Sequence, residues 1–299
     1  MNGYINVFKP KGLTSHDVVR RIKRILGVKK VGHTGTLDPN ASGVLPICIG
    51  KATRTSEYLL NANKSYISEL TLGICTDTQD VDGKILRYSN KEVKVEDIVS
   101  TFNLYKGEIY QLPPMYSALK YKGKKLYELA RNGVEVERKK RKIHIYDINI
   151  LNNDENKKIL FSVKCSRGTY IRTLCNDIGE SLGTYGYMSY LIRTEVEPFV
   201  ISDAVSLETI QKKQETNSIE DILYPIDYPL YNIRPIYIPD SFYNKLINGM
   251  SINIDFLNSK INTNEDEILR IYCNNFFIGI GKIIKQNNDK ILKLDKVLI

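Results

Sequence analysis

The 299-residue chain has room for one large domain and a small one, and its 42% apolar and 26% charged residues are those of an ordinary globular protein. No apolar run reaches the ~18 residues of a membrane-spanning helix, so no membrane partner is expected. The five cysteines are scattered without a Cys-x-x-Cys pair, and MNGYINVFKPKGL lacks a signal-like apolar core; neither a disulfide framework nor a zinc centre is expected, and the expected compartment is cytoplasmic.

Residues 14–26 read as an amphipathic helix. Thr14 and Asp17 have capping-box spacing, Val18, Ile22, Ile25 and Leu26 form one stripe, and Gly27 ends it. A glycine-rich loop follows, GHTGTLDPNASG, with Asp38 just before Pro39. Residues 44–49 then read as a buried strand, 51–62 as helical and 66–72 as an alternating strand. Polar turns and further strands are expected to about residue 110. Residues 113–142 read as an inserted arm or hairpin, rich in lysine and tyrosine. Strands are expected at 143–151 and 159–165, a helix at 170–182 and a strand at 187–194. Four prolines between 225 and 239 mark a boundary near residue 230, and 235–299 reads as a small, partly closed β-barrel.

The net charge is +9, and its distribution says more than its size. Residues 20–30, RRIKRILGVKK, hold six basic residues and no acid; 120–125, KYKGKK, hold four lysines around Tyr121; 138–142 are RKKRK. Any one run is equally well a solvated face. Three together point to a polyanion, with nucleic acid the leading partner.

Glycines let a backbone approach a ligand closely, and Asp-Pro biases Asp38 toward an extended conformation that turns its side chain out of the loop. A turn-forming role alone also accounts for these residues. No cluster of histidines or carboxylates has metal-ligand spacing. The stretch TQDVDG (78–83) resembles a calcium loop but has Thr78 where the first acid should stand and Ser89 where the last should, so no metal is expected. A carboxylate without metal serves as general base or as nucleophile toward an electrophilic carbon such as a sugar anomeric centre. No second carboxylate stands out as an acid, so the leaving group should need little protonation; a uracil anion fits.

GHTGTLDP followed by SGVLPICIGKATR resembles the signature of the tRNA pseudouridine-55 synthase (TruB) family. NVFKPKGLTS (6–15), KSYISELTLGICTDTQDVDG (64–83), MYSALKYKGKKLYELAR (115–131), SRGTYIRTLCNDIGESLG (166–183) and YLIRTEVEPF (190–199) follow in the family's order and cover most of residues 1–200. The tail resembles the family's RNA-binding PUA module more loosely. Carried over residue by residue, the resemblance makes Asp38 the catalytic nucleophile and Arg172 its partner. Tyr170 becomes a catalytic or pocket tyrosine, a candidate base for the final proton. Tyr66 becomes the ring that stacks on the target base, His33 a contact to the opened loop and Leu191 an apolar pocket wall. Lys9-Pro10 matches a pair read as mainly structural, while His16 and His144 are left as surface or packing residues.

The resemblance implies a pseudouridine synthase α/β fold of the α+β type: a mixed, largely antiparallel sheet with flanking helices, over residues 1–230 with the arm at 113–142. A PUA-like β-barrel at 235–299 would follow. It implies a tRNA T stem-loop as substrate, base flipping, no cofactor, no obligatory protein partner and a monomer. The rival readings are a guide-RNA-dependent synthase and a tRNA-folding chaperone role alongside catalysis. Whether Asp38 attacks the sugar or the uracil ring, or removes a proton, is open at this level.

Overall fold

The structure, a computed structural model, describes residues 1–257, 266–286 and 289–299. In chain order the strands of the first 200 residues are β1 (Gly3–Lys9), β2 (Val31–His33), β3 (Ser42–Ile49), β4 (Lys64–Leu72), β5 (Ile74–Thr76), β6 (Ile85–Tyr88) and β7 (Gly107–Gln111). They continue with β8 (Lys120–Tyr121), β9 (Lys124–Lys125), β10 (Arg141–Asp154), β11 (Lys158–Cys165), β12 (Gly186–Val196) and β13 (Phe199–Val200). The main sheet has nine strands on the path β1-β3-β12-β4-β11-β10-β7, with β2 added to β3 and β13 to β12. Among its described pairs only β3 and β12 run parallel, so the expected mixed, largely antiparallel sheet is present.

Helix α1 (Ser15–Leu26) forms as its sequence dictates. The Thr14 hydroxyl accepts from Asp17 N–H at 3.0 Å while Asp17 accepts from Thr14 N–H at 2.9 Å, and Gly27 closes the helix at φ 64°. A cap of this kind contributes about 1 kcal/mol. Val18, Ile22 and Leu26 pack on Ile5, Val7, Leu45 and Ile47 of β1 and β3. Residues 50–60 form a 3-10 turn and the short α2 (Ser56–Leu60).

A helix not expected from the sequence, α3 (Val95–Leu104), lies in the region read as turns and strands. Ile98 and Phe102 share one face of it, and Phe102 meets Phe161 of β11 edge-on at 5.3 Å. Beside it α5 (Ile171–Ser181) lays Ile171, Leu174, Cys175 and Ile178 on the same apolar cluster. The arm is a β8–β9 hairpin running into α4 (Leu126–Arg131). Helix α6 (Leu207–Glu215) packs beside α1.

The tail builds a second, curled sheet of five strands, β14 (Arg234–Ile238), β15 (Ile252–Asn253), β16 (Ile268–Cys273), β17 (Phe276–Gln286) and β18 (Asp289–Val297), ordered β14-β16-β17-β18-β15. The short α7 (Tyr243–Ile247) lies against it. Pro235 sits in edge strand β14, where a missing N–H is tolerated. Residues 258–265 and 287–288 of the expected barrel lie outside the described residues. Ile280 of this sheet and Leu298, just after β18, join Tyr4, Phe199 and Leu230 in one apolar cluster, so the tail and the main sheet share buried surface.

Candidate active site

Asp38 lies in the loop between β2 and β3, and that loop is tied down from several sides. Ser15, at the start of α1, accepts from Leu37 N–H at 2.9 Å and donates to Leu37 O at 3.2 Å. Gly12 N–H donates to Pro39 O at 2.8 Å. The fully buried Lys9 Nζ donates to the carbonyls of Leu13 (2.6 Å), Pro10 (3.0 Å) and Pro39 (3.3 Å). Burial lowers the Lys9 ammonium to about 8, opposed by the nearby Asp38 charge. One of the loop glycines has a structural reason of its own. A Cβ on Gly43, at φ 111°, would stand 2.2 Å from Arg193 O, so this glycine allows β3 and β12 to close on each other.

The Asp38 side chain is 37% exposed, and its Oδ2 stands 3.5 Å from Arg172 NH2. Arg172 is on the first turn of α5 with its side chain 9% exposed. The same guanidinium donates to Tyr116 O at 2.6 Å and meets Asp80 Oδ2 at 3.3 Å, while its Nε has no partner. A second carboxylate, unexpected from the sequence, thus shares the arginine. Asp80 belongs to TQDVDG, where its Oδ1 accepts from Thr78 Oγ1 (2.5 Å) and Asp82 N–H (3.1 Å). Asn40, two residues after Asp38, donates to Asp82. The turn that looked like a degenerate calcium loop instead braces Arg172 and the Asp38 loop together. Among the described residues no group of three or more His, Cys, Asp or Glu could hold a metal ion.

Tyr66 of β4 and Leu191 of β12 lie in one apolar cluster with Leu37, Ala41 and Ile171. Tyr66 is only 8% exposed, and burial raises its hydroxyl to about 12, with the Arg193 charge acting the other way. Tyr170 caps α5. Its N–H donates to Gln111 Oε1 at 2.8 Å and its carbonyl accepts from Gln111 Nε2 at 3.0 Å, so one buried amide fixes its backbone. Burial raises the Tyr170 phenol, which disfavours a phenolate.

His33 Nδ1 lies 3.4 Å from Gly35 N–H, in position to accept from it. Burial lowers its pKa, helped by repulsion from His16 and Arg193, which favours the neutral ring. His16, read as a surface or packing residue, stands edge-on to His33 at 6.0 Å between centroids.

The TruB family pseudouridylate synthase N-terminal domain matches residues 23–171, and the tRNA pseudouridylate synthase B C-terminal domain matches 172–231. The tRNA pseudouridine synthase B of Alkaliphilus oremlandii is 46% identical over 299 residues, covering 100% of this chain and 99% of that protein. That of Clostridioides difficile is 46% identical over 303 residues, covering 100% of both. The chain belongs to the TruB family of pseudouridylate synthases.

Asp38, Tyr66 and Tyr170 fall within the first TruB match, and Arg172 and Leu191 within the second. The TruB-type fold extends to solved structures. A crystal structure of a Cbf5-Nop10-Gar1 complex matches with TM-score 0.77 and 28% identity, covering 99% of this chain and 85% of that one. An H/ACA RNP bound to a substrate RNA containing 2'-deoxyuridine matches with TM-score 0.75 and 25% identity, over 99% and 85%. Asp80, Gln111, Ser15 and Arg193 escaped the sequence reading of this TruB chain. The first was visible only as part of a rejected metal motif. The others are recognised by the elements they bridge.

Proposed function

We propose that this TruB-family protein isomerises uridine 55 in the T loop of tRNA to pseudouridine, with residues 1–230 catalytic and 235–299 a PUA-like RNA-binding domain. One observation carries the reading: a solvent-reachable carboxylate, Asp38, faces a buried arginine in a rigid loop, and four-tenths and more of the chain is identical to proteins named tRNA pseudouridine synthase B. The target nucleotide leaves its stack, at a cost of a few kcal/mol, and enters beside Asp38. Asp38 acts on the nucleotide, the bond between uracil N1 and the sugar breaks, and the base turns within the closed pocket. It rejoins the sugar through its ring carbon C5, which then loses its proton, while the freed N1 gains one, so no atom is added or lost. Arg172 holds the Asp38 charge in place. Leu191 and Tyr66 wall the turning base, and His33 contacts the opened loop. No redox step, hydrolysis or cofactor enters this sequence, and the enzyme works as a monomer without an obligatory protein partner.

Incubating the purified chain with an unmodified T stem-loop, with no guide RNA or other protein, tests this reading. Pseudouridine should form at the position equivalent to 55. The rival reading, a guide-RNA-dependent synthase, predicts no product on the bare stem-loop.

Tyr66 separates stacking from simple packing. Tyr66→Phe keeps the ring and should retain affinity for the stem-loop, whereas Tyr66→Leu should lose about 1–3 kcal/mol of binding. Equal behaviour of the two variants in a titration would remove stacking from the account.

The arm grips RNA backbone in this proposal, but not with every basic residue expected of it. Arg138 NH1 donates to Pro113 O at 3.0 Å and NH2 to Glu135 at 2.8 Å, so this arginine fastens the base of the arm. Lys142 pairs with Glu108 at 2.7 Å. The hairpin lysines Lys122 and Lys124, with Lys139 and Lys140, are exposed. Lys122 lies over Tyr121, and Lys125 and Arg131 flank the ring of Tyr127. Changing Lys122, Lys124, Lys139 and Lys140 to Gln should weaken tRNA binding. The slope of log affinity against log salt should flatten by roughly one unit per lost phosphate contact, with turnover of bound RNA nearly intact. Unchanged affinity and slope would leave the arm a solvated face.

A further inference from the structure

Arg193 is among the largest fully buried side chains, at 1% exposure. Its donors meet main-chain oxygens on both sides of Asp38: NH2 donates to Gly35 O at 3.3 Å and NH1 to Thr36 O at 3.4 Å in the Asp38 loop, and Nε to Val44 O of β3 at 2.8 Å, while the guanidinium also lies close to the Tyr66 hydroxyl. Among the described residues no carboxylate stands within ion-pair distance of it. A buried cation without an ion-pair partner is costly unless its donors are satisfied, and here main-chain carbonyls satisfy them. The second buried cation of the loop, Lys9, takes Pro39 O from the other side. The carbonyls of residues 35, 36, 39 and 44 therefore turn inward to two positive charges, on both sides of Asp38 in the sequence.

The sheet places Arg193 where it joins the parts of the site. Its Cα is paired with that of Tyr66 on β4 and with that of Gly43 on β3. Leu191 lies two residues earlier, on the same buried face of β12. One side chain thus touches the loop of the reacting carboxylate and sits on the strand that carries the pocket wall, directly across from the stacking ring.

We propose that Arg193 is a positioning residue for the isomerisation: it clamps the Asp38 loop to β12 and so fixes the carboxylate relative to Tyr66 and Leu191. This rests on the reading that Asp38 acts on a nucleotide held by those two side chains. Arg193 does not touch RNA, so its removal should slow the bound reaction rather than weaken binding. Displacing a reacting group by about 1 Å costs on the order of 100-fold in rate.

The test compares Arg193→Lys, which keeps the charge but not the fork, and Arg193→Gln, which keeps a donor but not the charge, with wild type and Asp38→Asn. Thermal melting reports folding, fluorescence anisotropy the Kd for a T stem-loop, and single turnover with enzyme in excess the rate of the bound step. Arg193→Lys should fold and bind within about threefold of wild type and react at least about tenfold more slowly; Arg193→Gln, where it folds, should be slower still. The combination Arg193→Lys with Tyr66→Phe should lose less than the product of the single effects, because both act through one geometry. A wild-type rate in Arg193→Lys, a loss residing wholly in Kd, or strictly multiplicative combination overturns the proposal. An active Asp38→Asn control, or a wild type without product, overturns instead the reading beneath it and takes the proposal with it.

Discussion

Asp38→Asn should yield no detectable pseudouridine, a loss of at least about 10⁴-fold, while melting temperature and affinity for tRNA stay close to wild type. The structure separates the two effects. Asp38 is 37% exposed and contributes a 3.5 Å ion pair, so it carries little of the fold. Arg172 keeps Asp80 and Tyr116 O when Asp38 is neutralised. The amide matches the carboxylate in shape but has neither its charge nor its nucleophilicity. Single turnover over hours, with RNA composition analysis, sets the detection limit. Substantial product from this variant would mean that another group does the chemistry.

Arg172→Met should lose both activity and stability, and the two losses should be separable. The missing guanidinium leaves Asp38 without its partner, which should slow the bound reaction by about 10²–10³-fold. It also leaves the Asp80 carboxylate, 13% exposed, without a counter-charge. Losing one member of a buried pair costs about 3–5 kcal/mol, and the two hydrogen bonds Asp80 retains from Thr78 and Asp82 should hold the loss near the lower figure. Adding Asp80→Asn removes the stranded charge. The double variant should therefore recover much of the melting temperature and none of the rate. If the rate returned with the stability, Arg172 would be acting through the fold rather than on Asp38.

Much of this was legible because local rules and the fold agree. The Thr14–Asp17 box, the stripe of α1 and the alternation of β4 are short-range signals, and each formed where expected. Helix α3 was missed because Val95, Ile98, Val99 and Phe102 are a brief stripe between polar turns, and what Ile98 and Phe102 pack on, Phe161 among it, comes from distant elements. Asp38 and Arg172 carry a motif and could be singled out from sequence, and the structure brings them to 3.5 Å. Asp80 could not, since its use depends on an arginine 92 residues away that no spacing rule connects to it. Arg193 follows Leu191 at strand period, so the pattern could have marked it as a buried charge; what it holds required the pairing of β12 with β3 and β4. Gly43 was hidden for a similar reason, because it answers to a neighbouring strand that sequence does not display.

The central claim is tested most directly by mapping pseudouridine at single-nucleotide resolution in a complete unmodified tRNA transcript after incubation with the purified chain alone. The account predicts conversion at uridine 55, near one pseudouridine per tRNA, and none at other uridines. Conversion at a different position, or none on a transcript whose T stem-loop is correctly folded, would contradict it.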